Sequence, residues 1–284
     1  MLDAFLAPHT AEAYFLRSNA KNAGLTYSGK FLEAEYFGAF EGERLVGVIS
    51  YSWINTILVF AEYPSCLAPL VRIVTLSILK RNGVIEAVLG LPVHVDAVIE
   101  ELGIPSSAFR RKENDGLFRL PITDLRLPEM PDGLHMGEAS MEDIDLLVSW
   151  RVDFNIEAVH AKPGKALEDK ALAEMRERIP AGELYILEKD GQPVSFCGIG
   201  GHVPDTVMVG PVWTPPELRN RKYGRIATGY ALKLLAEKRP ALRQAILFAS
   251  RADAIRVYEA IGFVRFSDWR LALIKEDYRI ENAA

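Results

Sequence analysis

The feature that most constrains the fold of this chain is an approximate internal repeat. "FGAFEGERLVGVISYS" in the first half has the pattern of strand, turn and strand, and "LYILEKDGQPVSFCGIGG" repeats it 148 positions later. Farther along, "LGLPVHVDAVIEELGI" and "FASRADAIRVYEAIGF" correspond at 159 positions, each as a strand end, a helix and a glycine before an apolar residue. Two ordered matches predict one structural unit present twice, with a longer middle in the second copy. Chance similarity of two amphipathic helices is the alternative.

A segment with two prolines and a glycine separates the two copies. "RLPEMPDGL" lies between segments of clear periodicity, which is typical of a linker. A chain of 284 residues suits two domains of ordinary size. We therefore expect a first domain at residues 1–126, a linker at 127–133 and a second domain at 134–284. Hairpin turns are expected near Glu41–Glu43 and at Asp190-Gly191.

Composition and charge exclude several classes of protein. The net charge of −5 is shared evenly, with 12 basic against 14 acidic residues up to position 126 and 21 against 24 beyond it. Neither half has the basic excess typical of nucleic-acid binding. The start carries Asp3 and no basic segment, so we expect no signal peptide, and no stretch reaches the ~20 apolar residues of a membrane span.

The cysteines, the histidines and the missing motifs narrow the class further. Cys66 and Cys197 fall in apolar surroundings of different halves, which favours buried thiols in a reducing compartment over a disulfide. There is no G-x-x-x-x-G-K-[ST], no G-x-S-x-G and no H-E-x-x-H, and the five histidines are too scattered for a metal site. We expect a soluble, cytoplasmic protein without a bound metal.

The longer middle of the second copy begins with a β-rich run that is interrupted by proline. In "TVMVGPVWT" (206–214), Pro211 cannot donate to a strand ladder, so the run predicts a bulge or a point where neighbouring strands separate. "PPELRNRKYGR" then leads into a predicted helix, whose small or apolar residues follow i, i+3, i+4 spacing: Tyr223, Ile226, Ala227, Tyr230, Ala231, Leu234 and Leu235.

The start of this helix carries four basic residues, Arg219, Arg221, Lys222 and Arg225. The helix dipole is positive at this end, so each cation in the first turn costs about 0.3–1 kcal/mol. Glu217 alone cannot offset them. The pattern favours a site where free N–H groups and basic side chains bind an anion. Four solvated surface residues are the alternative.

These features together resemble the GNAT superfamily of N-acyltransferases. The family's loop, Arg/Gln-x-x-Gly-x-Gly/Ala, is matched at Arg219 and Gly224, with Lys222 in place of the first glycine. A later family signature, Asn-x-x-Ala-x-x-x-Tyr-x-x-x-Gly-Phe, has Arg251 in place of the asparagine and matches at the other positions: Ala254, Tyr258, Gly262 and Phe263.

The resemblance covers residues 134–274, whereas the first half is similar in layout only. It implies a tandem GNAT protein whose first domain is a degenerate copy. The implied fold class is α+β with mixed α/β order: two GNAT-like domains, each a central mixed, mostly antiparallel sheet flanked by helices.

The resemblance also implies acetyl-CoA as the cosubstrate. Its pantetheine arm would lie beside the strand at 206–214, where a backbone N–H polarises the thioester carbonyl, and its pyrophosphate would meet backbone amides at the helix start. Because amides form that cradle, Lys222 need not abolish it, although a positive φ there would cost about 1–2 kcal/mol. The implied cofactor-binding residues are Val212, Trp213, Thr214, Arg219, Asn220, Arg221, Lys222, Tyr223, Gly224, Arg225, Ile226 and Arg251.

Transfer in this family is a direct attack of an amine on the thioester, which requires an acid and a base. Tyr258 matches the residue that protonates the leaving thiolate; a tyrosine packed in the core is the alternative. The bulged strand lacks the glutamate that many family members use as the base. Glu157 and His160 are therefore candidates, with His202 and Asp205 before the strand, and a water relay would require no dedicated base.

The residues leave two functions open. The first is an N-acyltransferase that moves an acetyl group from acetyl-CoA to a primary amine of a small molecule. The second is a non-catalytic acyl-CoA-binding or regulatory protein, which Lys222, Arg251 and the missing strand glutamate suggest. In the first half no basic cluster precedes the helix, and Ile99 stands where Tyr258 would fall, so we expect that half not to bind CoA. Its expected roles are to complete the sheet, line the acceptor site or form a homodimer.

Overall fold

A computed structural model describes residues 1–280, without the side chains of His202 and Asp277. The chain divides into two compact units. The first contains Met1–Leu117, Phe248–Ser250 and the chain from Arg265 onward, and the second contains Phe118–Leu247 and Arg251–Val264.

The described residues form eight α-helices and eleven strands in mixed order. The helices are α1 (Leu2–Leu6), α2 (Tyr14–Ala23), α3 (Leu67–Lys80), α4 (Pro92–Glu101), α5 (Ile144–Val159), α6 (Lys165–Arg178), α7 (Tyr223–Lys238) and α8 (Ala252–Ala260). The strands are β1 (Ala34–Glu41), β2 (Arg44–Ser52), β3 (Thr56–Ala61), β4 (Ile85–Gly90), β5 (Phe109–Pro121), β6 (Leu134–Glu138), β7 (Leu184–Lys189), β8 (Gln192–Val203), β9 (Thr206–Trp213), β10 (Gln244–Ala249) and β11 (Val264–Tyr278). The α+β class with mixed, mostly antiparallel sheets is confirmed.

The first unit is a sheet in the order β1-β2-β3-β4-β11, antiparallel except for the parallel pair β3 and β4. All six residues of β3 are buried, because "TILVFA" is apolar on both faces and both faces are covered. The aliphatic stripe of α3 packs on this sheet, with Leu70, Val74 and Ile78 in the same core as Ile49 and Val59.

The second unit is a sheet in the order β10-β9-β8-β7-β6, antiparallel except for the parallel pair β9 and β10. The turn between β7 and β8 has Asp190 at φ 52° and Gly191 at φ 76°. Two successive positive φ angles make the tight turn that suits hairpin twist, so the turn predicted from Asp-Gly is confirmed. Helices α5 and α6 cover one face through a core that includes Trp150, Met175 and Phe196.

An extra residue interrupts the pairing of β9. Val212 lies opposite Cys197 and Val209 lies opposite Ile199, so β9 has one residue more than β8 between these pairs. Gly210-Pro211 occupies this interval, which confirms the bulge predicted there. Parallel pairing with β10 spans only three residues of β9 and ends at Met208. From Val209 onward, alternate residues of β9 point their N–H and C=O groups away from β8, towards the side of β10. These groups have no ladder partner on β10.

The compact units differ from the predicted domains in two places, at the last strand and at the predicted linker. The last strand groups with the first unit from Arg265, whereas the sequence-based boundary put it in the second domain. The predicted linker groups with the second unit, where Arg126 N–H donates to the Ile261 carbonyl and Tyr230 Oη donates to the Pro128 carbonyl. The division at 126 and 134 stays a prediction about the two copies.

We predict that His94 makes the protein sensitive to mild acid. Its side chain is 3% exposed in the first turn of α4, its ring meets Phe60, and its Nδ1 is buried without a partner. Burial lowers the pKa of His94 from 6.5 to about 4. Below pH 6.5 His94 therefore binds a proton in the unfolded chain but not in the folded chain, so the free energy of unfolding falls as the pH falls towards 4. Between pH 7 and 5 the free energy of unfolding should drop by about 2 kcal/mol through this residue.

Denaturant unfolding at both pH values would measure this loss. His94→Leu should remove most of the difference, whereas His160→Asn, a change at an exposed histidine with positive φ, should leave it in place. Equal acid sensitivity of wild type and His94→Leu would contradict the assignment.

Candidate functional site

The start of α7 presents free backbone amides. Lys222 is the residue before the helix, with φ 66° and ψ 7°, and no side chain caps the helix start. A left-handed residue directly before a right-handed helix turns successive N–H groups to one side, which makes a concave anion site. The amide of Ile226 already donates to the Lys222 carbonyl at 3.0 Å. Arg225 is therefore the last residue of this turn with a free amide, and the Ile226 amide is not available to the predicted cradle.

Three cations at this helix start have no carboxylate partner among the described side chains. Arg221 and Lys222 are exposed, and Arg225 is half-buried. The Nε of Arg225 is buried and has no hydrogen-bond partner. Since buried polar groups in proteins are almost always bonded, this N–H fits a ligand that supplies an anionic oxygen.

The loop lies beside the end of β9. A Cβ placed on Gly224 would be 3.5 Å from Thr214 Oγ1 and 3.9 Å from Val212 Cγ1. Ser195 of β8 holds this strand end, because its Oγ donates to the Trp213 carbonyl at 2.8 Å and lies 2.9 Å from Thr214 Oγ1. Free amides, free cations and a partly unpaired strand end therefore lie together in the second unit.

Arg219 is used within the protein. Its Nη1 and Nη2 donate to the two carboxylate oxygens of Glu157 at 3.0 and 2.7 Å, and its Nε donates to the Thr214 carbonyl at 3.0 Å. The guanidinium also lies over the ring of Trp213, 4.8 Å from its centre. This side chain ties the end of α5 to the end of β9, and the backbone then turns through Asn220 at φ 64°.

Arg251 contacts the same carboxylate. Its Nη1 donates to Glu157 Oε1, and its other nitrogens donate to Asp253 on the first turn of α8. The hydrogen bond from Arg219, together with Arg251, holds the pKa of Glu157 below its ordinary value. A carboxylate that accepts from two arginines is a weak proton acceptor.

Tyr258 lies half-buried on α8, with its ring 6.0 Å from that of Phe263. Among the described side chains no hydrogen bond involves its hydroxyl. Burial raises the pKa of Tyr258, so the phenol holds its proton at neutral pH. Of the other candidate bases, His160 is exposed directly after α5, and Asp205 precedes β9, about 25 Å along the strand from Trp213. The side chain of His202 lies outside the described residues.

The comparison with protein families matches this same region. Residues 145–263 match the model of the acetyltransferase (GNAT) family. These residues form a GNAT domain. No curated protein sequence matches the chain significantly. The resemblance drawn from the loop and the tyrosine motif is confirmed for this part of the chain.

Solved structures with the same fold cover nearly the whole chain. A GCN5-related N-acetyltransferase from Kribbella flavida superposes with TM-score 0.63 at 15% identity, over 95% of this chain and 96% of that one. A GCN5-related N-acetyltransferase from Sphaerobacter thermophilus gives 0.58 at 13% identity, over 93% and 92%. A tandem GNAT protein of the clavulanic acid biosynthesis pathway gives 0.53 at 13% identity, over 93% and 94%. At such identity the likeness shows the fold.

Among the side chains that the structure describes, no group of three or more His, Cys, Asp and Glu is arranged to hold a metal ion. None of the described helices combines the length and the apolar character that crossing a bilayer requires.

The backbone of Lys222 generates a stability prediction. A φ of 66° costs a lysine conformational free energy, whereas glycine adopts it freely. Lys222→Gly should therefore raise the free energy of unfolding by about 0.5–1 kcal/mol. Its neighbour Arg221, also exposed but not among the residues with positive φ, is the matched control, and Arg221→Gly should lower stability. Urea unfolding of both variants measures the difference, and a loss of stability in Lys222→Gly would refute the expectation.

Proposed function

We propose that the protein transfers an acyl group from acetyl-CoA to the primary amine of a small molecule. The observation that carries the proposal is the start of α7, where free amides and three unpaired cations lie beside the bulged strand β9. GNAT acetyltransferases generally use acetyl-CoA, and the buried, unpartnered Nε of Arg225 suits one of its phosphate oxygens.

The residues support a direct transfer. When bound, acetyl-CoA supplies an activated thioester, whose pantetheine arm would run along Val212–Thr214. A backbone N–H of this strand end would polarise the carbonyl while the amine forms a C–N bond and the C–S bond breaks. Tyr258 would give its proton to the departing thiolate, which suits a phenol that burial keeps protonated.

For Glu157 we propose a positioning role, with water taking the proton from the substrate ammonium. The carboxylate is bound by Arg219 and Arg251, and a base at this place would have to be released from both. In this view Arg219 and Arg251 shape the loop and the start of α8, while Arg221, Lys222 and Arg225 meet the phosphates.

We further propose a tandem GNAT arrangement with one CoA site per chain, in the second copy. In the first unit, β3 and β4 remain paired as far as Val59 and Gly90, so only the last two residues of β3 extend beyond this ladder. The helix that follows, α3, starts after Glu62 and Pro64 without a basic residue. The free thiols of Cys66 and Cys197 fit a cytoplasmic location.

A non-catalytic acyl-CoA-binding or regulatory role is the second candidate, because the strand has no glutamate and Lys222 replaces glycine. Consumption of acetyl-CoA with a library of primary amines separates the two. Binding without turnover on any amine would favour the regulatory role.

Calorimetry with CoA tests the site itself. We expect one CoA per chain, with affinity that weakens as salt screens the phosphate contacts. Arg225→Met should reduce the affinity about tenfold or more through loss of a charge-assisted hydrogen bond. Because that Nε has no partner in the protein, the same change should not lower the melting temperature. Arg256→Met, a change at an exposed arginine of α8, is the control. Two equal sites, or an unchanged affinity in Arg225→Met, would count against the proposal.

Tyr258→Phe tests the acid. The change keeps the ring against Phe263 and removes one hydroxyl without a hydrogen bond, so CoA affinity and melting temperature should hardly change. Turnover should fall by about 10²–10⁴-fold, as expected for a lost general acid. If turnover stays near normal across the pH range, another group or water protonates the thiolate.

A further inference from the structure

A partly buried group of four charged side chains lies against the bulge of β9. Arg178, the last residue of α6, donates from Nη1 to Glu174 at 3.0 Å and from Nε to Glu183 at 3.1 Å. Glu174 also accepts from Arg151 of α5 at 2.8 Å. Burial raises the pKa of Glu174, but the two flanking arginines outweigh burial and hold it below its ordinary value. Two cations and two anions therefore balance within the second unit.

The remaining nitrogen of Arg178 reaches the backbone of the bulge. Its Nη2 donates to the Gly210 carbonyl at 3.2 Å. Gly210 lies where the ladder between β9 and β8 is interrupted, so a side chain replaces the missing strand partner. Gly198 of β8 leaves room for this contact. A Cβ there would lie 2.9 Å from the Gly210 oxygen and 3.0 Å from Arg178 Nη2.

Stability does not account for the arrangement. A buried ion-pair network gains little over well-packed apolar side chains of similar volume, because desolvation offsets the attraction. A planar guanidinium instead supplies geometry, since its N–H groups point in fixed directions. Arg178 thus joins α6, the residue before β7 and the bulge of β9 through one rigid group.

We propose that Arg178 is a positioning residue for acyl transfer. By holding the Gly210 peptide, it sets the direction of the backbone N–H groups at Val212 and Trp213, which receive the acyl-pantetheine arm. This inference rests on the proposed function, since it assumes that acetyl-CoA lies along β9. The phosphate cradle at the start of α7 is built from other residues and should not depend on Arg178.

The test compares two ligands on one variant. Arg178→Lys keeps the charge, but one ammonium cannot serve Glu174, Glu183 and the Gly210 carbonyl in the same geometry. By calorimetry, the affinity for acetyl-CoA should fall at least tenfold, while that for 3′-phospho-ADP, the part of CoA without pantetheine, should change less than twofold. Arg151→Lys alters the same network without contacting the bulge, and both affinities should stay within twofold.

Gly198→Ala crowds the same contact between Arg178 and the Gly210 carbonyl without changing a charge. It should reproduce the selective loss of acetyl-CoA affinity, and it decides the question if Arg178→Lys does not fold. A parallel loss of affinity for both ligands, or unchanged acetyl-CoA affinity in the folded variants, would overturn the role of Arg178. A wild-type protein that binds neither ligand would instead overturn the proposed function, and the inference with it.

Discussion

Strand β9 loses its parallel neighbour after Met208, and the arrangement of the candidate site follows from that loss. Backbone N–H and C=O groups need partners, and here neither β10 nor an unbroken ladder to β8 supplies them all. Side chains donate hydrogen bonds to three of these carbonyl groups: Arg178 to Gly210, Ser195 to Trp213 and Arg219 to Thr214. The strand end is therefore held in place without being closed by another strand, which is the condition for a backbone that can bind an extended ligand.

The charges around the loop divide into two sets with different tasks. Glu157 would oppose an anionic ligand if its charge were unbalanced, but Arg219 and Arg251 bind it, and with Asp253 the group has two positive and two negative charges. This pairing also explains a departure from the family pattern. The arginine that stands at 251 in place of the usual asparagine is paired with Glu157. The replacement is therefore compensated locally and does not indicate that the site is lost. The cations left unpaired are those at the start of α7.

How much could be predicted from the sequence depended on how local the signal was. The Asp190-Gly191 turn and the bulge at Pro211 follow from the backbone preferences of single residues, and both were found. The contacts Arg178–Gly210, Arg219–Glu157 and Arg251–Glu157 join residues 32 to 94 positions apart, and no spacing rule predicts them. Periodicity also identified only part of the buried face of α7, because Leu232 is fully buried whereas Leu234 is partly exposed. The grouping of β11 with the first unit is likewise a long-range choice.

The first unit has a similar order of elements, but its two parallel strands do not separate as β9 and β10 do. Its parallel pair, β3 and β4, keeps its ladder to Val59 and Gly90, and a Cβ at Gly90 would lie 2.6 Å from the Val59 carbonyl. Ile99, in the place that corresponds to Tyr258, is buried among aliphatic side chains. Pairing β4 with β3 up to its last residue, Gly90, supplies main-chain partners in place of groups such as Arg178 and Ser195. A core of this kind requires only apolar side chains of suitable volume, whereas the second unit needs particular polar residues to hold its strands open, and that difference is the physical reason to look for chemistry in the second unit alone.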